Sequence, residues 1–478
     1  MDLLSLPYAA FVVVTALLFH MVPGRFRAGF LAIVSLLFYG YFSPVSAAIL
    51  LVSSVIVFVA ARLLDTEQEA GKRRGLVFLG VLGALLGYLA LIKFLPLLHA
   101  QGRALGTGRI LIALGVSYYT FKLMGYLIDV YWRKYRAWTD PVLFLAFATF
   151  FPQLPAGPIQ RANEFRLPEN GEETAGLMAQ GLKRIFWGLV KKTVVADQLA
   201  SIVAYIDGTQ PRFSNMLWIA ACLYALEMYF DFAALTDIAV GTAGLFGIRS
   251  PENFNFPYFA PSISQFWRRW HMSLTLWLTD YVFTPLRMST RNLGNWGLFL
   301  SITINMVLIG LWHGIGLGFL IFGLVHSVFL VVDAFTSSAR RKYYRRHPLA
   351  DRITNLIGPL FVFAMAAFAL VFFRAVTNTN ITYQMQHIWL GLAAPVTALK
   401  ELYYNYSRLL IGLTCLSTGA ALGIELLDYR RQAGGRIASS IPSFAGLPAA
   451  LRWAVYYAGV AIVVTLHQQH VHFIYVQF

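Results

Sequence analysis

Charged side chains are scarce in this sequence. They make up 13% of it, about half the share of a soluble globular domain. A surface so poor in charge cannot keep 478 residues in water, which excludes a soluble enzyme or binding module. Cysteine is nearly absent. Cys222 and Cys415 lie in separate apolar segments, so neither a disulfide framework nor a metal-spaced cluster is expected. No tandem repeat is visible, and no Gly-, Ser- or Pro-rich linker divides the chain. We therefore read 1–478 as a single membrane domain. Met1–His20 lacks a basic start and a small-residue cleavage site. It reads as a retained first span and not as a signal peptide.

Apolar runs fill the space that charge vacates. The sequence is 58% hydrophobic, and a helix needs about 20 apolar residues to cross the hydrocarbon core. The runs predict an all-α polytopic membrane protein with about 11 transmembrane helices, plus re-entrant or short interfacial helices. Among the expected spans are Met178–Ala200, Met216–Phe230, Leu235–Phe246 and Ile263–Leu286. The formal net charge is +16, yet it does not signal nucleic acid. The basic residues gather in short clusters between apolar runs: Arg25 with Arg27, Lys72–Arg74, Arg133–Arg136, Arg340–Arg346 and Arg430–Arg436. Such clusters face the cytoplasm. That parity puts the N-terminus outside and Phe478 near the outer face.

Several polar residues stand where lipid-facing sequence should have none. "FFPQLPAGPIQR" (Phe150–Arg161) carries three prolines and a glycine. Proline breaks helices, and irregular backbone at membrane depth survives only inside protein or beside a cavity. A re-entrant loop is the reading, with a surface loop as its alternative. In "LEMYFDFAALTDIAVG", Glu227, Asp231 and Asp237 need partners or water. Structural pairing with arginines such as Arg268 or Arg269 is expected. In "QFWRRWHMSLTLWLTDYVF" (Gln265–Phe283), a continuous helix would put Trp267, His271 and Leu274 on one face. Arg268 and Arg269 then either anchor at the interface or bind an anionic donor group.

A second histidine, His313, follows Trp312 in "IGLWHGIGLGFLIFGLVHS". Gly314 and Gly318 form a small-xxx-small pair suited to close helix packing, and they leave room for a substrate beside His313. Histidine can remove a hydroxyl proton near neutral pH. An ionisable residue within the membrane is a functional candidate, against the alternative of a satisfied packing histidine. His326 reads as a packing or polar-network residue. His467, His470 and His472 have a spacing that fits no common zinc signature, so no metal is expected. Tyr475, near the expected outer face, reads as an aromatic-belt residue or as something more specific.

These stretches resemble the membrane-bound O-acyltransferase (MBOAT) family, within its bacterial branch of alginate O-acetylation and D-alanylation proteins. The resemblance rests on "ALGVSYYTFKLMGYLIDVYWRK" (Ala113–Lys134), "FPQLPAGPIQRANEF" (Phe151–Phe165) and "YFDFAALTDIAVG" (Tyr229–Gly241). It continues through "PENFNFPYFAPSISQFWRRWHMSLTLWLTDYVFTPL" (Pro251–Leu286), "GLWHG" (Gly310–Gly314) and "FIYVQF" (Phe473–Phe478). It is most specific over a core of about 111–333. It implies a ring of helices around a thin centre, with cavities from both faces meeting at a catalytic histidine. His313 matches that histidine, and His271 matches the second one in W-R-R-W-H. Tyr475 matches a tyrosine linked in this branch to carrying the acyl group.

The resemblance further implies acyl transfer, with acetyl favoured, from a cytoplasmic thioester to hydroxyls of an extracytoplasmic polysaccharide or glycopolymer. The donor is acetyl-CoA or an acyl carrier, with no bound cofactor. His313 is the general base, and His271 stabilises the oxyanion or orients the thioester carbonyl. Arg268, Arg269, Trp267 and Trp312 line the donor side. Glu227, Asp231 and Asp237 are structural. The expected setting is a bacterial cytoplasmic (inner) membrane, with a periplasmic or extracellular acyltransferase as partner and no nucleic acid. The rivals are D-alanyl transfer to teichoic acid, a lipid or protein acyltransferase, and, from another class, a polymer transporter or flippase.

Overall fold

The computed structural model describes residues 3–66, 71–100, 115–169, 171–208, 214–375, 378–432, 446 and 448–466. The described residues are helical, with no strand among them. Nine of their helices are long and apolar enough to cross a membrane, and Leu6–Met21 and Pro141–Gln153 are shorter apolar helices. This is the chain of an integral membrane protein. The helices are α1 (Leu6–Met21), α2 (Arg27–Phe42), α3 (Pro44–Thr66), α4 (Lys72–Ala100), α5 (Val116–Tyr131), α6 (Pro141–Thr149), α7 (Glu172–Val190), α8 (Asp197–Gly208) and α9 (Leu217–Leu245). After three short helices, α10 (Ile263–Trp267), α11 (Met272–Leu278) and α12 (Thr284–Ser289), come α13 (Gly294–His313), α14 (Leu317–Arg346) and α15 (Pro348–Arg374). The last four are α16 (Asn378–Ala393), α17 (Pro395–Asn405), α18 (Arg408–Gln432) and α19 (Ala449–Leu466). The chain clusters into two compact units. One is built from the residues up to Phe186 with Leu235–Glu252. The other is built from Trp187–Ala234 and the described residues from Asn253 to Leu466.

In the first unit α5 is buried on every side from Val116 to Val130. The proline-rich stretch beside it is buried throughout, from Phe150 to Gln160. Its irregular backbone is therefore enclosed by protein, as the absence of water in a bilayer requires. Lys122 of α5 holds it, donating from Nζ to the Phe147 carbonyl at 2.7 Å and to Gln153 Oε1 at 2.9 Å. Gln153 Nε2 in turn donates to Gln160 Oε1 at 2.7 Å and to Ser250 Oγ at 2.8 Å. Two of the basic residues assigned to cytoplasmic loops are buried here. Arg74 donates to the carbonyls of Leu64 and Tyr131, at the ends of α3 and α5. Arg27 donates to those of Val22 and Pro168. These carbonyls end their helices or sit in loops, so the two charges serve as caps.

The expected spans are partly redrawn. Met216–Phe230 and Leu235–Phe246 are one helix, α9. Ile263–Leu286 is no single helix; it breaks into α10, α11, a π-helical turn at Thr279–Phe283 and the start of α12. The interruption is at His271, whose φ of 43° and ψ of 52° are left-handed. Few non-glycine residues adopt that region, and no α-helix continues through it. The one-face arrangement of Trp267, His271 and Leu274 therefore does not form.

In the second unit α13 and α14 pack as a tight pair. A Cβ on Gly310 would overlap the Phe319 carbonyl oxygen, and one on Gly323 would lie 2.6 Å from the Met306 carbonyl oxygen. The small-residue pair read as Gly314 and Gly318 does different work. Gly318 lets α14 meet the Phe372 carbonyl at the end of α15, and the space beside Gly314 is filled by the Phe319 ring.

Since backbone cannot step aside as a flexible side chain can, Gly310→Val should cost about 1–3 kcal/mol. We expect a lower unfolding temperature in detergent. Gly412→Val, where nothing lies within 4 Å of the added carbon, serves as the control. Equal unfolding temperatures for the two variants would contradict the close α13–α14 approach.

Candidate active site

His313 is the last residue of α13 and is buried. Its ring is walled by aromatic side chains: Trp312 at 4.6 Å between ring centres, Phe373 at 4.8 Å and Phe322 at 6.2 Å. Trp312 also reaches His271, at 5.8 Å. The two histidines that were 42 residues apart in the sequence thus share one indole wall. Phe232 of α9 closes the other side of His271, edge-on at 4.7 Å.

His271 is wholly buried at the break between α10 and α11. The loop that precedes α10 runs alongside and fixes it. Met272 N donates to the Asn253 carbonyl at 2.8 Å, and Asn255 N donates to the Arg269 carbonyl at 3.1 Å. The Asn253 side-chain oxygen lies 3.3 Å from His271 Nδ1 and accepts from Ser273 Oγ at 2.6 Å. Left-handed backbone at a non-glycine residue costs on the order of 1–3 kcal/mol and persists only where the surroundings enforce it. Here paired backbone on both sides of the histidine does so.

His326 belongs to the same aromatic cluster. It accepts a hydrogen bond from Trp267 Nε1 at 3.3 Å and packs 4.7 Å from Phe322. This is the packing and network role expected for it, and it puts Trp267 beside His326. Arg268 is exposed. Arg269 is half-buried, with its guanidinium 5.2 Å from the centre of the Tyr429 ring. Tyr475, His467, His470 and His472 lie outside the described residues.

Two carboxylates of α9, Asp231 and Asp237, are paired, but not with Arg268 or Arg269. Asp231 accepts from Lys192 at 2.7 Å, and the same ammonium stands 2.9 Å from Asp197. Asp237 accepts from Arg184 at 2.8 Å, and Arg184 also grips Glu252. Structural pairing is present as expected, but through cations that lie on or just after α7. Helix α7 runs on through a π-helical turn, Lys191–Ala196, into α8. The wider turn swings Lys192 inward, where its side chain is 1% exposed. Glu227 is buried on α9, and Tyr224, one turn before it, lies under the Arg374 guanidinium at 5.6 Å. Arg374 follows Phe373 and pairs with Asp207.

Reading the sequence alone missed Asn253, Phe232, Phe373 and Lys192. Asn253 and Phe232 lie inside the quoted motifs, where polar and aromatic residues drew less attention than the histidines. Phe373 and Lys192 carry no local signal, since their partners are distant in sequence.

The arrangement suits proton transfer away from water. A histidine with aromatic walls keeps its imidazole desolvated and fixed, while a second histidine is held one indole away. Comparisons with known proteins bear on the family. A family profile described as membrane-bound O-acyltransferase matches residues 138–390. The probable alginate O-acetylase AlgI of Pseudomonas aeruginosa is 34% identical over 282 residues, 58% of this chain and 51% of that protein. The peptidoglycan O-acetyltransferase of Helicobacter pylori is 32% identical over 72% of this chain and 70% of its own length. The teichoic acid D-alanyltransferase of Bacillus subtilis is 30% identical over 66% of this chain and 82% of its own length. The matched region spans about half the length of the alginate O-acetylases.

Lys192 serves two buried carboxylates, so its removal strands both. Lys192→Met should lower stability by about 3–5 kcal/mol, the range for breaking a buried pair. Asp231→Asn, which leaves Lys192 its contact with Asp197, should cost clearly less. Unfolding of the two variants in detergent measures the difference, and an equal loss would refute the shared-cation account.

Proposed function

We propose, since the chain belongs to the membrane-bound O-acyltransferase family, that it moves an acyl group, acetyl in the first instance, from a cytoplasmic thioester to hydroxyls of an extracytoplasmic polysaccharide. The observation that carries this reading is His313, buried at the end of α13 among aromatic rings and joined to His271 through Trp312. The relatives named for O-acetylation of alginate and of peptidoglycan support acetyl as the group.

In the reaction, the His313 imidazole takes the proton of the attacking hydroxyl as general base. The oxygen bonds to the thioester carbonyl carbon, the carbon–sulfur bond breaks, and the proton leaves with the thiolate. The products are an ester and a free thiol. Where Tyr475 is the first acceptor, its hydroxyl takes the acyl group from the thioester and the thiol leaves; a polymer hydroxyl then attacks the aryl ester, the bond from the carbonyl carbon to the tyrosine oxygen breaks, and the tyrosine recovers its proton. The donor is acetyl-CoA or an acyl carrier. The basic cluster Arg340–Arg346 and the pair Arg268 and Arg269 offer positive charge to the phosphates of either donor. A partner acyltransferase outside a bacterial cytoplasmic membrane would complete delivery to the polymer.

A second reading, D-alanyl transfer to a teichoic acid or related glycopolymer, is favoured by one observation. The chain covers more of the D-alanyltransferase of B. subtilis than of the alginate O-acetylases.

General-base catalysis is worth about 10²–10⁴ in rate, so purified His313→Ala should lose transfer by that factor while still folding. Thioester consumption together with ester formation on an added glycan is the assay. Wild-type turnover in His313→Ala would remove the base assignment. Tyr475→Phe separates the routes: loss of the protein-bound acyl intermediate supports the relay, and undiminished transfer leaves only direct attack.

A further inference from the structure

The surroundings of His271 say more than that it is buried. Its Nδ1 faces the side-chain oxygen of Asn253, which is itself fully buried. That oxygen is already an acceptor, because Ser273 Oγ donates to it at 2.6 Å. A carbonyl oxygen has no proton to give. A hydrogen bond to it from His271 therefore requires the proton on Nδ1. In the neutral ring the other nitrogen, Nε2, is then an acceptor.

The backbone makes this hard to evade. His271 is left-handed, and its flanking residues are tied to the Asn253 loop by Met272 N and Asn255 N. The ring is stopped on one side by the Phe232 edge and on another by Trp312. A ring flip would carry Nδ1 away from the Asn253 side-chain oxygen, 3.3 Å from it.

We propose that Asn253 is a positioning residue that fixes His271 in the Nδ1-protonated tautomer, so that Nε2 meets the substrates as a hydrogen-bond acceptor. This rests on the acyl-transfer reading for its role and on geometry for the tautomer. It changes the part expected for His271. A neutral ring held this way cannot donate from Nε2 to an oxyanion; it receives a hydrogen bond from a hydroxyl or amide N–H group and so orients that group.

The test reads the tautomer without turnover. In wild-type protein with ¹⁵N-labelled histidine rings, purified in detergent, the signals lost in His271→Gln identify His271. The expected pattern is a protonated Nδ1 and an unprotonated Nε2. Asn253→Asp keeps the acceptor oxygen and should keep both this pattern and activity. Asn253→Ala should mix the tautomers and lower kcat about tenfold or more, as when a histidine loses its orienting partner, with KM little changed. A wild-type ring protonated on Nε2 overturns the proposal, and so does an Asn253→Ala ring that keeps the wild-type tautomer. The wild-type spectrum decides the first point even where Asn253→Ala fails to fold. Correct spectra from a protein that transfers no acyl group would overturn the functional reading and leave the tautomer standing.

Discussion

The hydrocarbon core of a membrane holds no water, so a charge buried at that depth is stabilised by a partner in the chain. That constraint governs α9. The helix carries acidic residues through an apolar segment, and each unit answers locally. Lys192, swung inward by a π-helical turn, stands between Asp231 and Asp197. Arg184 meets Asp237 and Glu252. In the second unit α9 presents Phe232 to His271. The ionic contacts hold α9 to its neighbours within each unit. Their net contribution to stability is modest compared with the loss when one member is removed.

The site itself depends on two interruptions. His313 stands where α13 ends, and His271 where α10 gives way to α11. A histidine within a continuous helix could be packed as well, but its ring direction would follow from the helix. At a break, the direction is set by whatever is built around it. For His271 that is the Asn253 loop, and for His313 it is Trp312, Phe322 and Phe373. Aromatic walls exclude water and strengthen the electrostatics of any proton moved between them.

Much of this was legible in the sequence. Apolar runs announced an all-helical membrane chain, and proline in Phe150–Arg161 announced buried irregular backbone. Both follow from local rules of length and backbone chemistry. His271 and His313 were found as ionisable residues in apolar surroundings. What the sequence hid was set by distance. Asp231 and Asp237 plainly needed cations, yet nothing local could choose Lys192 and Arg184 over Arg268 and Arg269. The break at His271 was hidden for another reason. Its residues favour a helix well enough, and only the pairing with the Asn253 loop makes a left-handed turn tolerable. Gly314 suggested space for a substrate, but Phe319, five residues on, fills it.

The most direct measurement is of the polymer. Ester-linked acyl groups on envelope glycopolymers should be compared between cells with the wild-type chain and cells with His313→Ala at matched protein levels. The account predicts loss of acetyl esters while the polymer is still exported. Unchanged esters with failed export would contradict it and assign the chain to transport.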